Sequence, residues 1–217
     1  SGEDQVDGFV TTWYDQSGEG NNATQSVSTS QPKIVDAGVL LKDANGKPEV
    51  VFDGDDYLYD TANDLGLSGD DNSISFFAVA ERLGSTYAEA FMSLGNSATG
   101  TQFTYLGKNS TQYRLSERDD ASVLESLDLG TFDAVSAFTA ITTGNTREIF
   151  ANGSSQGSGT ADLGQRTFDQ FAIGALLRTS AGNFWEGNIQ ELIIYDSDQS
   201  ANRTGIEGNI NSQYSIY

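Results

Sequence analysis

Hydrophobic and polar positions alternate along most of this chain with a period of two, in short runs broken by Gly, Asn, Asp and Ser. "GFVTTWYD" sets Phe9, Thr11 and Trp13 against Val10, Thr12 and Tyr14, the pattern of a half-buried strand. "KPEVVFDG" follows an Asn45-Gly46 turn. "SISFFAVAE" is apolar on both faces, as a strand buried between two layers has to be. "AFMSLG", "TQFTYLG", "TQYRLSE", "SAFTAITT" and "REIFANG" continue the series, and "QFAIGAL" and "NFWEGNIQELIIYD" close it. Asn152-Gly153 marks a hairpin, because both central positions of a type I′ turn need positive φ. This spacing predicts an all-β fold: an antiparallel β-sandwich of jelly-roll type, forming a single domain over residues 1–217.

One helix is expected near the C-terminus. Ser197, Asp198 and Ser200 offer N-caps, and Ile206 and Ile210 stand four apart as a narrow apolar stripe. Gly205 and Gly208 keep it short. "ANGSSQGSGTAD" reads as a long hairpin loop.

Composition narrows the chemistry. The chain has no Cys and no His, which removes thiol nucleophiles, disulfides, Cys/His zinc sites and Ser-His-Asp triads. Any catalysis has to run on carboxylates, Tyr, Lys or Arg. Thirty-one acidic residues against eleven basic ones give a net charge of −20. That field repels phosphate backbones, so anionic membranes are poor partners and no nucleic acid is expected. It suits salty surroundings, where screening confines repulsion to about 8 Å or less. No apolar run is long enough for membrane insertion, and no signal peptide opens the chain. The start at Ser1-Gly2-Glu3-Asp4 is that of a mature terminus or of a domain cut from a larger multidomain protein.

Three places carry candidate chemistry. "FDGDDYL" puts Asp53, Asp55 and Asp56 within four residues, either a calcium site or a turn with Asx-type caps. The twelve-residue EF-hand frame is missing, so calcium is a candidate ion and no cofactor is required. "GLSGDDNS" adds Asp70, Asp71 and Asn72, which strand entry explains as well as metal does. Trp185, Tyr105, Tyr113 and Arg114 lie on strands whose other faces are apolar. Aromatic rings with amides and an Arg are what a sugar-binding sheet face presents, while any single ring is more readily a core residue.

Three segments taken together carry a resemblance. "TTWYDQSGEGNNATQ…QPKIV", "NGKPEVVFDG" and "FWEGNIQELIIYDSDQSANRTGIEGNINSQY" resemble concanavalin A-like (laminin-G-like) lectin/glucanase domains of marine bacterial and phage proteins. In the same order they resemble the catalytic β-sandwich of the α-L-arabinofuranosidase B family. Those are retaining enzymes, which need two carboxylates about 5 Å apart. The resemblance puts Gln102, in "QFTYLG", where the family has its nucleophile, and Leu176, in "AIGALLRT", where it has its acid. Neither side chain can do that work. Glu186 in "FWEG" matches a family Glu outside that pair, and Glu117, Asp119 and Asp120 are the other acids available for a different pair.

The resemblance therefore implies a non-catalytic, lectin-like carbohydrate-binding module. It would serve a secreted, cell-surface or phage tail protein and bind a polysaccharide or cell-surface glycan outside the cell or on a virion. Its ligand residues would be Gln102, Tyr105, Tyr113, Arg114, Arg178 and Trp185. The alternatives are a glycoside hydrolase or polysaccharide lyase on the same fold, and a structural or adhesive domain without a small ligand. The opening "WYDQSG" reads as scaffold: a turn built on Asp15, Gln16, Ser17 and Gly18, with Trp13 and Tyr14 packing at the sandwich edge.

Overall fold

The computed structural model describes residues 6–61, 65–69, 72–84 and 88–217. Asp70 and Asp71 of the second acidic turn lie outside the described residues, as do Ser1 to Asp4. The strands in chain order are β1 (Gly8–Phe9), β2 (Thr12–Trp13), β3 (Ala23–Thr24), β4 (Lys33–Asp36), β5 (Val39–Leu40), β6 (Val50–Asp53) and β7 (Leu58–Thr61). Then come β8 (Ile74–Arg82), β9 (Ala88–Gly95), β10 (Phe103–Asn109), β11 (Gln112–Arg118), β12 (Leu124–Gly130) and β13 (Ser136–Thr143). The chain continues through β14 (Thr146–Ala151), β15 (Ser154–Thr160), β16 (Gln170–Ile173), β17 (Leu176–Leu177), β18 (Ala181–Gly182) and β19 (Glu186–Tyr195) into one helix, α1 (Arg203–Tyr214).

Among the described residues two antiparallel sheets form the sandwich. One runs β1-β4-β6-β19-β8-β13-β14-β15 with β5 beside β4, and the other runs β12-β11-β10-β9-β16-β7-β3-β2. Between them lie Phe52, Leu58, Phe76, Phe91, Phe138 and Trp185, all within 1% of full burial. β8 is buried on both faces, as its apolar run requires. Phe76, Ala78 and Ala80 face the sandwich core. Phe77 and Val79 face a second cluster with Ile206 and Ile210 of α1. The helix thus covers the outer face of the first sheet.

Several expectations need correction. "GFVTTWYD" is not one strand: β1 pairs with β4 in the first sheet, while β2 pairs with β3 in the second. The chain changes sheets at Val10–Thr11, where the Val10 N–H bonds the Pro32 carbonyl and the Thr11 carbonyl accepts from Gln25. "ANGSSQGSGTAD" is not a loop either. Asn152 (φ 49°) and Gly153 (φ 73°) make the tight turn expected of them, and the Ser/Gly run after them is the exposed edge strand β15. Small polar side chains suit a strand with no core face, and that is why it carries no apolar alternation. The helix starts at Asn202 without a side-chain cap. Asp198 bonds the Ser200 N–H and hydroxyl in the preceding turn instead. No helix among the described residues is long and apolar enough to cross a membrane.

Candidate functional site

The opening motif is scaffold. The Asp15 carboxylate accepts from the Ser17 N–H at 2.8 Å, the Ser17 hydroxyl at 2.7 Å and the Asn21 N–H at 3.0 Å. Asn22 Oδ1 accepts the Asp15 N–H. These bonds hold Asp15 below the ordinary carboxylate range, the Ser17 hydroxyl contributing most. Trp13 packs against the core, but Tyr14 is 66% exposed and does not pack at the edge. The turn delivers β2 onto β3, and β3 onto β7 through Thr24 and Tyr59.

The expected ligand residues do not make one groove. Trp185 and Tyr113 are 0% exposed, on the inner side of the sandwich. Trp185 meets Phe91 edge-on at 5.3 Å, and Tyr113 stacks on Phe138 at 4.3 Å and accepts the Arg82 N–H on its hydroxyl. A ring with no exposed face cannot stack on a sugar, so both are corrected to core residues. Tyr105 lies on the outer face of the second sheet, with Phe103 at 5.7 Å. It is closed over by the segment through β17, whose Leu176 packs with Ala90, Phe103 and Tyr105. That segment comes so close that a Cβ on Gly95 would run into the Leu177 carbonyl oxygen. Arg178 lies over the Phe103 ring and donates to the Gly100 carbonyl, and Arg114 pairs with Asp128. Gln102 is buried and accepts the Thr167 N–H. Tyr105 and Arg178 both pack on Phe103, Tyr105 buried and Arg178 partly buried.

Gln102, expected where the family has its nucleophile, is committed to a backbone N–H, and Leu176, expected where it has its acid, sits in an apolar cluster. Of the other candidate acids, Glu117 and Asp119 are engaged, while Asp120 is exposed. Glu117 is 1% exposed between Arg147 and Arg166, both at 2.5 Å. Asp119 accepts the Val123 and Gly164 N–H groups. Buried and doubly paired, Glu117 clamps β11 to β14 rather than facing a substrate.

The partly exposed rings on the outer face of the second sheet lie elsewhere. Tyr57 and Tyr59 stack at 5.4 Å with 27° between their planes, and Phe184 tilts against Tyr57 at 5.7 Å. Alternate positions share a face of extended chain, so Tyr57 and Tyr59 project together while Leu58 enters the core. Phe184 arrives from the covering segment, just after β18. The position of Tyr57 is fixed by its backbone: its N–H bonds the Ser30 carbonyl, and its carbonyl accepts from the buried Gln25 amide. "DDYLYD" carries this signal as two tyrosines at period two.

The acids lead directly into these rings. Asp53, Asp55 and Asp56 bring carboxylate oxygens within 4.8 Å of one another, with Asp53 and Asp55 exposed and Asp56 buried. The turn reading holds in its hydrogen bonds: Asp56 accepts the Asp53 N–H at 3.2 Å and Asp53 accepts the Asp55 N–H at 3.3 Å. Burial pushes the Asp56 carboxyl up to about 7, against the pull of that N–H, and the charges of Asp53 and Asp55 add to the rise. Asp55 is raised too, first by its hydrogen bond with Asp53 and then by burial. A calcium ion takes about six to eight oxygens, of which this turn supplies three carboxylates.

Comparison with solved structures agrees with this architecture. A mutant GH54 α-L-arabinofuranosidase soaked with 4-nitrophenyl α-L-arabinofuranoside matches 95% of this chain and 51% of its own, with 15% identity and a TM-score of 0.71. The binding domain of botulinum neurotoxin serotype G matches 92% of this chain and 49% of its own, with 12% identity and a TM-score of 0.65. The CBM40 of the Ruminococcus gnavus IT-sialidase, bound to α2,3 sialyllactose, matches 62% of this chain and 80% of its own, with 13% identity and a TM-score of 0.54. At these identities the likeness is one of fold. The chain spans about half the length of the arabinofuranosidase and toxin chains it matches. No curated protein matches it in sequence. A family model does, over residues 52–203, well over half of the chain, and by that match the protein belongs to the concanavalin A-like lectin/glucanases superfamily.

Proposed function

We propose that this chain is a carbohydrate-binding module that seats a glycan against Tyr57, Tyr59 and Phe184. The observation that carries this reading is a stacked, partly exposed pair of tyrosines on a sheet face, backed by a rigid strand and a third ring. C–H faces of a pyranose fit such a surface, and neighbouring polar groups orient them. The fold neighbours support a carbohydrate-binding scaffold, since one of them holds sialyllactose and another was soaked with an arabinofuranoside. Placement outside the cell or on a virion, within a larger protein, belongs to the same proposal. Gln102 and Leu176, at the positions the resemblance assigns to the catalytic pair, favour binding over hydrolysis.

Calorimetric titration with a panel of neutral oligosaccharides tests it. Tyr59→Ala is expected to weaken binding about tenfold or more, the loss of one aromatic anchor. Unchanged affinity in Tyr57→Ala and Tyr59→Ala, with the fold intact by circular dichroism, would remove the site.

A further inference from the structure

Tyr14 is 66% exposed, more than any other aromatic residue among those described, yet its backbone is held on both sides. The Asp15 N–H bonds Asn22 Oδ1 at 2.9 Å, the Tyr14 carbonyl accepts from the Gln16 amide, and the Thr11 carbonyl accepts the Gln25 N–H. A single exposed ring is ordinary on a protein surface. This one lies in line with the platform.

Strand register sets that alignment. Thr12 pairs with Thr24, and Thr24 with Tyr59, so the three side chains form one row across β2, β3 and β7. The Thr24 hydroxyl donates to the Tyr59 carbonyl at 3.4 Å. Trp13 and Ala23 turn the other way, into the core, which leaves Thr12 and Tyr14 on the outer face with Thr24 and Tyr59. Because Trp13 pairs with Ala23, Tyr14 comes opposite Asn22, one row further from Tyr57 than Tyr59 is. Tyr57, Tyr59 and Tyr14 therefore follow one diagonal across the sheet. Two strand spacings and a two-residue step separate Tyr59 from Tyr14, about 12 Å. Between them lie the exposed Thr24 and the half-buried Thr12, whose hydroxyls both donate and accept.

We infer that the site runs along this diagonal from Phe184 to Tyr14 and takes an internal stretch of a linear neutral glycan, with Tyr14 as its far subsite. The extension rests on the reading of Tyr57, Tyr59 and Phe184 as a sugar platform. The stacked pair alone serves a single terminal sugar. A ring about 12 Å further on is out of that sugar's reach and meets another unit of the same chain. Holding the first unit raises the effective concentration of the second at Tyr14. The turn fixes Tyr14 before any ligand arrives, so little is lost in ordering it. At the far end β2 is the edge of the sheet, so the diagonal runs out into solvent and a chain can continue past it.

Titration calorimetry with cello-, xylo- and manno-oligosaccharides of increasing length, from dimer to hexamer, tests this. In a series that binds, affinity is expected to rise about tenfold with length and then level off. Tyr14→Ala should abolish the rise while keeping dimer affinity within about twofold and the melting temperature as it was. Tyr14→Phe should keep the rise, since stacking needs the ring and not its hydroxyl. Tyr59→Ala should weaken every length. Wild-type affinity that does not depend on length would overturn the extended site and leave the platform standing. So would a length dependence that survives Tyr14→Ala, or a Tyr14→Ala loss equal for dimer and hexamer. No binding of any sugar would sink both this inference and the proposed function.

Discussion

Two buried carboxyls tie individual residues to solution behaviour. Glu49, bonded to the Asn188 amide, is pushed up to about 7 by burial, with Asp43 and Glu81 adding to the rise. Asp56 is pushed to about 7, again by burial first. Both values are raised in the fold, so the stabilisation they give is fully present below their unfolded values and is lost as pH rises through about 7. Melting temperature should therefore fall between pH 5 and pH 8. Glu49→Gln and Asp56→Asn should each flatten that slope, at roughly 2–4 °C per kcal/mol for a chain of this size. A wild-type slope retained in both variants would assign the pH dependence to general charge repulsion. Asp15 works in the other direction: its carboxylate holds three donors of the opening turn. Asp15→Ala should cost about 1–2 kcal/mol in chemical denaturation, as the loss of a comparable cap does.

At the scale of the element, what could be read in advance followed from whether a strand has a core face. β8, β13 and β14 alternate or run apolar because one or both faces are buried, and the sequence patterns located them. β12 and β15 are edge strands with mostly exposed side chains, so they carry no such pattern. Trp185 and Tyr113 were misplaced for a related reason: composition says that a ring is present but not which face of the sheet it takes. A single strand-to-strand register decides that. Tyr57 and Tyr59 could have been found from their spacing, yet nothing local says that Phe184 returns from the covering segment to join them. Two variants test the elements themselves. Trp185→Ala should cost about 3–5 kcal/mol, since the ring is wholly buried and touches Phe91 and Tyr113. Gly95→Ala should destabilise by roughly 1–3 kcal/mol by forcing β17 off the sheet, and should expose Tyr105 to quenchers.

For the whole molecule, the sandwich supplies rigidity, and function is left to a sheet face and its rim. The two sheets share one core, and the helix covers the outer face of one of them. The covering segment through β17 and β18 seals much of the other outer face. Tyr57 and Tyr59 are where rings remain partly open, at the end of the turn that carries the acids. The large negative charge keeps the surface hostile to polyanions, which agrees with neutral glycans as ligands. The central claim is the location of that site, and backbone and aromatic NMR shifts during titration with neutral oligosaccharides test it most directly. Shifts concentrated at Tyr57, Tyr59, Phe184 and the neighbouring Thr24 are the expected result. Shifts concentrated at Tyr105, Arg114 and Arg178, or none with any sugar, would contradict it.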